Sequence, residues 1–415
     1  VTLRYGAIAD DFTGATDLAG NWRSRGLRVG VLIGLPDGAA IEAARDLDAV
    51  VIALKIRSAP VTEAVEQARA ALGVLRELGA RQVYQKYCST FDSTPAGNIG
   101  PIADMLLEEL RAPVAVVVPA FPDNGRTTYR GHLFVGDELL QDSPMKDHPL
   151  TPMRDSHLVR LLQSQAAHRV GMIALPIVRA GADELRRQLE AADERGERLV
   201  VVDAVENADL AVIAEATADH PLVTGGSGLA LGAPRGSAEV APIPTVPGRR
   251  AILAGSASTA TRAQIEHAQQ HYRSERMQVE RLSTGAAAEV DRLATWATAS
   301  WDQHPDQPVL IYSVGSAADL AVANDGTTDL IESAFAALAV RLKELGCRQL
   351  VVAGGETSGS VVDGLGLGML ELGERLSPGI SWLHGRSTDG QEYNLVLKSG
   401  NFGTIDLFTS AWEAL

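Results

Sequence analysis

Two adjacent aspartates, Asp10 and Asp11, follow a short apolar run in IADDFTGATD, residues 8–17. Carboxylates held side by side repel, and that repulsion raises the pKa of one of them. A general base that works near neutrality needs such a shift. The doublet therefore reads as a proton acceptor for a sugar hydroxyl beside a group that orients substrate or metal. The plainer reading is that one of the pair, or Thr13, caps the helix that follows. KYCSTFDSTPAGN, residues 86–98, adds a second polar cluster. Lys86 supplies a point charge, and Ser89, Thr90, Asp92, Ser93 and Thr94 crowd hydroxyls and an acceptor into one loop. That density suits a small polyhydroxylated ligand better than a single hydroxyl-stabilised turn. Arg126 sits in a Gly-Arg-Thr-Thr turn, where its guanidinium could pair with a carboxylate through two parallel bonds.

A different chemistry recurs near the C-terminus. LVVAGGETSG runs an apolar stretch into Gly354, Gly355, Glu356, Thr357, Ser358 and Gly359. AGSAS, with Ser256 and Ser258, and LKSGNFG, with Gly400 and Gly403, repeat the arrangement. Glycine lets backbone approach a ligand, and a turn that opens a helix presents free N–H groups to phosphate. None is a Walker A loop, because no Lys-Ser or Lys-Thr follows at the required spacing. VTGGSGLA, residues 223–230, either lines a cleft or turns the chain. It is not a nucleophile elbow, since Leu229 stands where the last glycine belongs. No GxGxxG is present, which leaves hydride transfer on a dinucleotide unsupported. His267 and His271 have helical spacing but lack the HExxH pattern and read as a solvated face.

These junctions need elements to position them. Apolar, β-branched runs end in Gly, Ser, Thr or Asp and lead into longer amphipathic stretches, the grammar of α/β folds with parallel sheets. Ligands in such folds sit beyond the carboxyl ends of the strands. The three prolines of APIPTVPGRR, residues 241–250, fit neither a helix nor a central strand. They divide the chain into an N-terminal domain over 1–240, a linker over 241–250 and a C-terminal domain over 251–415. QDSPMKDHPLTPMRD, residues 141–155, reads as a long loop of the kind used as a lid. The 415 residues are 46% hydrophobic and 21% charged, with a net charge of −15, which disfavours nucleic acid and anionic membranes as partners. Two distant cysteines, Cys88 and Cys347, imply no zinc site or disulfide framework. With no signal pattern and no spanning apolar run, the expected location is the cytoplasm.

Taken in order, IADDFTGATDLA, KYCSTFDSTPAGNIGP, FPDNGRTTYRGHLFVGD, SPMKDHPLTPM, VTGGSGLA, AGSAS, GGETSG and PGISWLHG…LVLKSGNFG resemble the four-carbon acid sugar kinase family across nearly the whole chain. KYCSTFDSTPAGN and HPLTPM resemble its 3-oxo-tetronate 4-kinase branch. The stretch after the first motif, with Trp22, departs from that branch. The resemblance implies two α/β domains, each with a largely parallel or mixed sheet flanked by helices, and an active site in the interdomain cleft. The N-terminal domain would bind the sugar acid through Asp10, Asp11, Lys86, Ser89, Thr90 and Arg126. The C-terminal domain would bind ATP through Ser256 or Ser258, Gly354 to Gly359, and Gly400 or Gly403. The implied reaction is ATP-dependent, with Mg²⁺, and phosphorylates the 4-hydroxyl of a 3-oxo-tetronate. The Asp10/Asp11 pair would act as base, without a choice between the two, and the metal ligands stay unassigned. A threonate or erythronate kinase, or a nucleotide or metabolite sensor without turnover, are the alternatives, and a homo-oligomer is compatible with any of them.

Overall fold

The computed structural model describes residues 3–147, 151–236, 242–315 and 327–415. They separate into two compact units, Val1–Val240 and Ala241–Leu415. In the first unit the strands are β1 (Tyr5–Ala9), β2 (Val29–Ile33), β3 (Ala49–Ala53), β4 (Gln82–Lys86), β5 (Ala115–Val118), β6 (Arg126–Tyr129), β7 (His132–Val135), β8 (Glu138–Leu139), β9 (Arg169–Ile173), β10 (Glu197–Val202) and β11 (Leu222–Gly225). The helices between them are α1 (Phe12–Ser24), α2 (Gly38–Ala44), α3 (Val61–Glu77), α4 (Ile99–Leu110), α5 (Leu158–Gln163), α6 (Leu175–Arg179), α7 (Ala182–Glu194) and α8 (Asn207–Ala216).

Eight of these strands run parallel in the order β2-β3-β1-β4-β11-β5-β10-β9. Parallel strands covered on both faces are apolar throughout, and AVVIA of β3 is buried at every position. From β1 the chain moves through α1 to β2 on one side, whereas from β4 it moves through α4 to β5 on the other. The carboxyl ends of β1 and β4 thus form a switch point, where α/β sheets leave a crevice. Trp22 is a core residue of this unit. Its ring stacks on Tyr5 at 5.4 Å and meets Tyr84 edge-on at 5.9 Å, aromatic contacts of about 0.5–1.5 kcal/mol each.

β6, β7 and β8 form a separate antiparallel sheet. The loop after it is packed rather than free: Ser143, Met153 and Ser156 are buried, and the Met153 N–H donates to the Met145 carbonyl at 3.0 Å. Residues 148–150 of that loop lie outside the described residues.

The second unit has β12 (Arg249–Ala254), α9 (Thr259–Ala268), β13 (Ser274–Arg276), α10 (Leu282–Gln303), β14 (Val309–Tyr312), α11 (Thr328–Glu344), β15 (Cys347–Ala353), α12 (Gly355–Leu365), β16 (Leu367–Ser377), β17 (Ile380–Ser387), β18 (Glu392–Lys398) and α13 (Leu407–Ser410). Its strand order is β13-β14-β12-β15-β18-β17-β16. The first five strands are parallel and the last two antiparallel. The chain leaves β12 toward β13 and leaves β15 toward β16, so β12 and β15 make a second switch point. The proline-rich segment ahead of β12 is pinned to this unit. Asn394 donates to the Pro244 carbonyl and accepts from Val246, and Gln349 donates to the Val246 carbonyl. Cys88 and Cys347 are both free thiols.

Candidate functional site

At the first switch point β1 and β4 end in register, Ala9 beside Lys86, and the Asp10 N–H donates to the Lys86 carbonyl at 3.1 Å. That pairing delivers the doublet and Lys86 to one crevice. The two aspartates then diverge in role. Asp11 is the N-cap of α1: one carboxylate oxygen accepts from the Gly14 N–H and the other from the Thr13 hydroxyl, both at 2.9 Å. Such a cap is worth about 1 kcal/mol. Asp10 instead takes a two-pronged contact from Arg57, Nε to Oδ2 at 2.8 Å and Nη2 to Oδ1 at 2.9 Å. The same guanidinium lies 3.0 Å from Asp11 and 4.0 Å from Asp92.

Burial raises the Asp10 pKa by more than Arg57 lowers it, with the Asp11 charge a smaller raising influence. Burial pushes Asp11 the same way, but Arg57, Lys86, the Thr13 hydroxyl and the Gly14 N–H together bring it below its ordinary value. The two pKa values are therefore split, as acid–base pairs require. Desolvation, rather than the mutual repulsion expected from the sequence, is the main cause of the raised Asp10 value, and the split arises because more groups lower Asp11.

Arg57 is the residue the sequence reading missed. It follows β3 in ALKIRSAP, and Asn98 fixes its loop by donating to the Ile56 and Ala59 carbonyls at 2.6 and 2.9 Å. A small pocket, open to solvent at its mouth, has Asp10, Arg57, Lys86, Asp92 and Ser93 among its polar lining and Ile8, Ile56, Ile99 and Ile102 among its apolar lining. Two buried acceptors on its wall, Gln85 Oε1 and Asn98 Oδ1, have no protein donor. Lys86 is buried, with Nζ donating to the Tyr87 carbonyl at 2.8 Å. A Cβ on Gly14 would fall 2.7 Å from that Nζ and 2.3 Å from Asp11 Oδ1, so only glycine admits this packing of charges.

Ser89 and Thr90 are not in the pocket wall. Ser89 packs against Gly226, and Thr90 donates to Asp92 at 2.6 Å. Phe91 between Thr90 and Asp92 is held at φ 53°, left-handed for a bulky buried side chain, a costly conformation of the kind found near functional loops. Arg126 is also outside the pocket: it sits on the β6–β8 sheet and its guanidinium donates to the Asn124 carbonyl. The VTGGSGLA turn is tight packing. Side chains at Gly225, Gly226 and Gly228 would fall 2.3–2.6 Å from carbonyl oxygens of Val118, Pro119 and Ala120. Burial lifts the Cys88 thiol to about 12, which leaves it no role as a nucleophile.

At the second switch point Ala254, Ala353 and Lys398 end their strands side by side. The three glycine turns consequently meet. A Cβ on Gly255 would lie 2.1 Å from Thr357 Oγ1, and one on Gly354 2.9 Å from the same atom. A Cβ on Gly400 would lie 2.4 Å from Ser256 Oγ and 3.1 Å from Ser258 Oγ. Ser258 caps α9 by accepting from the Thr261 N–H and donates its own hydroxyl to the Gly400 carbonyl. The first helical bond of α12 runs from Ser358 N–H to the Gly354 carbonyl, so the helix N-terminus opens directly out of the glycine turn. Glu356 lies in that first turn, Ser358 and Gly359 are buried behind it, and Ser358 Oγ has no partner. Gly403 stands apart, at φ 88°, in a turn that Gln264 holds by donating to the carbonyls of Phe402, Gly403 and Thr404. The cradle fits phosphate: a row of side-chain-free positions, two serine hydroxyls and a helix N-terminus.

Two α/β units, one with an ionised polar pocket and one with a glycine cradle at its switch point, define a sugar-and-nucleotide-binding class of protein. Comparison agrees. The family model described as a sugar-binding N-terminal domain matches residues 5–233, and that of a nucleotide-binding C-terminal domain matches 251–408. A 3-oxo-tetronate kinase of Burkholderia multivorans is 45% identical over 99% of this chain and 97% of its own, and that of Haemophilus influenzae 41% identical over 98% of each. Crystal structures of proteins from Salmonella typhimurium LT2 and Haemophilus influenzae superpose with TM-scores of 0.86 and 0.76, each at 40% identity and at least 98% coverage. The chain belongs to the four-carbon acid sugar kinase family, in the branch of the 3-oxo-tetronate kinases.

Proposed function

We propose that the protein transfers the γ-phosphoryl group of ATP to the 4-hydroxyl of a 3-oxo-tetronate, with Asp10 rather than Asp11 as the base. The supporting observation is Asp10 itself, which lines the N-terminal pocket against Arg57 with a raised pKa, while Asp11 is spent on the helix cap. The 4-hydroxyl oxygen attacks the γ-phosphorus, its proton passes to Asp10, and the bond to the β,γ-bridging oxygen breaks to release ADP. Arg57 holds Asp10 through Nε and Nη2 and has Nη1 left for a single bond to the substrate carboxylate, and Lys86 offsets charge beside it. Arg126 is not assigned a role. Gly354 to Ser358, Ser256 and Ser258, and Gly400 form the phosphate cradle, which the helix N-terminus favours electrostatically.

Mg²⁺ bound with the nucleotide would neutralise the charge that develops on the transferred group. Among the described residues no group of three His, Cys, Asp or Glu side chains could hold a metal by itself. In-line transfer demands that the two half-sites meet during turnover. No described helix is long and apolar enough to cross a membrane, and we place the enzyme in the cytoplasm beside its ATP supply.

Coupled ADP release over a panel of acids tests the reading. Turnover on 3-oxo-tetronate at least about 100-fold above threonate and erythronate is expected, since buried polar groups left unpaired penalise the wrong substrate. Nucleotide binding without turnover on any acid would instead mark a sensor.

A further inference from the structure

Ser93 lines the N-terminal pocket and is 6% exposed. Its Oγ accepts from the side-chain amide of Gln165 at 2.9 Å. That amide has one orientation. Its nitrogen also donates to the Thr94 carbonyl at 2.7 Å, and its oxygen accepts from the Gly100 N–H at 3.1 Å. Turned round, it would set oxygen against a carbonyl and N–H against N–H. The segment that carries Gln165, between α5 and β9, is itself fastened to α4. There Asp104 accepts from the Ala167 N–H at 2.6 Å, and its Oδ1 lies 2.8 Å from His168 Nδ1. Side chains at Gly97 and Gly100 would fall 1.9 Å from Ser93 Oγ and 2.7 Å from Gln165 Cβ, so glycine makes room for this contact at both places.

A serine oxygen that accepts from Gln165 keeps its own proton to give, and Ser93 stands in the pocket wall. The other neutral side-chain donors of that wall serve the protein. Gln85 donates to the Ile99 carbonyl at 2.9 Å, and Asn98 to the carbonyls of Ile56 and Ala59. The Tyr87 hydroxyl bonds Thr224, whose own proton goes to the Val116 carbonyl. A ketone is uncharged and can only accept, which matches a neutral donor held in one direction. We propose that the Ser93 hydroxyl donates to the C3 carbonyl of a 3-oxo acid, and that Gln165 is the positioning residue that turns the serine proton toward it. This rests on reading the N-terminal pocket as the acid site. The C3 carbonyl is not the reacting group, so the bond is made equally in the ground and transition states and its loss falls on KM.

Two acids separate this contact from general packing: 3-oxo-tetronate, and 2,4-dihydroxybutanoate, which has no oxygen at C3 and is read as a competitive inhibitor. Ser93→Ala should raise the KM for 3-oxo-tetronate about tenfold, with kcat and the Ki of the inhibitor within about twofold of wild type. Gln165→Glu keeps an acceptor for the Gly100 N–H but puts oxygen where an N–H faced Ser93, which draws the serine proton out of the pocket. It should raise KM to the same extent, and the two changes together no further than either alone. An unchanged KM, a Ki that rises with KM, a fall in kcat in place of the rise in KM, or additive losses would overturn the proposal. In wild type, calorimetry should show the inhibitor binding about tenfold more weakly than 3-oxo-tetronate; equal affinities would overturn the proposal even if neither variant folds. Wild type that releases no ADP with 3-oxo-tetronate would overturn the kinase reading itself, and the proposal with it.

Discussion

The two switch points solve the problem of a buried charge in opposite ways. In the N-terminal pocket Asp10, Asp11 and Asp92 are set against Arg57 and Lys86, so cations and anions answer one another within the protein. In the C-terminal cradle glycine turns, serine hydroxyls and a helix N-terminus meet, and buried Lys398 donates to neutral acceptors, Thr261 Oγ1 and the Ser399 and Gly400 carbonyls. The difference follows from what each half must receive. A small hydroxy-acid brings one negative charge and a proton to be removed, which calls for a balanced set of ionised groups with split pKa values. A triphosphate brings several negative charges and needs open backbone.

That contrast can be broken one half at a time. The largest effect is expected from Arg57→Met, which strands Asp10 beside Asp11 and removes the carboxylate partner. Removing one member of a buried charge pair costs about 2–5 kcal/mol, so kcat/KM for the acid should fall about 100-fold or more. Nucleotide affinity, measured by calorimetry, should move less than about twofold, because sites without shared partners behave additively. A smaller and mirrored effect is expected from Gly255→Ala. Its new methyl would meet Thr357 at 2.1 Å and force the start of α12 to move. Overpacking of about 1–3 kcal/mol should weaken nucleotide binding about tenfold and leave acid binding unchanged. Equal losses for both ligands in either variant would blur the two half-sites into one.

Much of this was legible in the sequence because strand ends are legible. Runs such as GAIA, AILA and QLVVA end in Asp or Gly, and parallel strands in register bring those ends to one edge. The meeting of Gly255, Gly354 and Gly400 follows from that pattern. Arg57 was not legible. No glycine accompanies it in LKIRSAP, only Ser58, and its partner Asp10 is 47 residues away in the chain. Asn98, which fixes its loop from 42 residues away, reads locally as the end of a turn. Arg126 and Gly403 are the opposite case. Each sits in a polar, turn-forming stretch that advertises a site, yet the guanidinium of one serves Asn124 and the turn of the other is held by Gln264. Lys398 was visible beside Gly400, but a sequence cannot say that its nitrogen points inward.

The dependence of kcat on pH tests the role of Asp10 most directly. A base must be ionised, so kcat should fall as pH drops through the Asp10 pKa. Burial puts that limb above the ordinary aspartate value. The limb should disappear in Asp10→Asn and survive in Asp11→Asn; a limb at the ordinary value, or one abolished only in Asp11→Asn, would contradict the assignment.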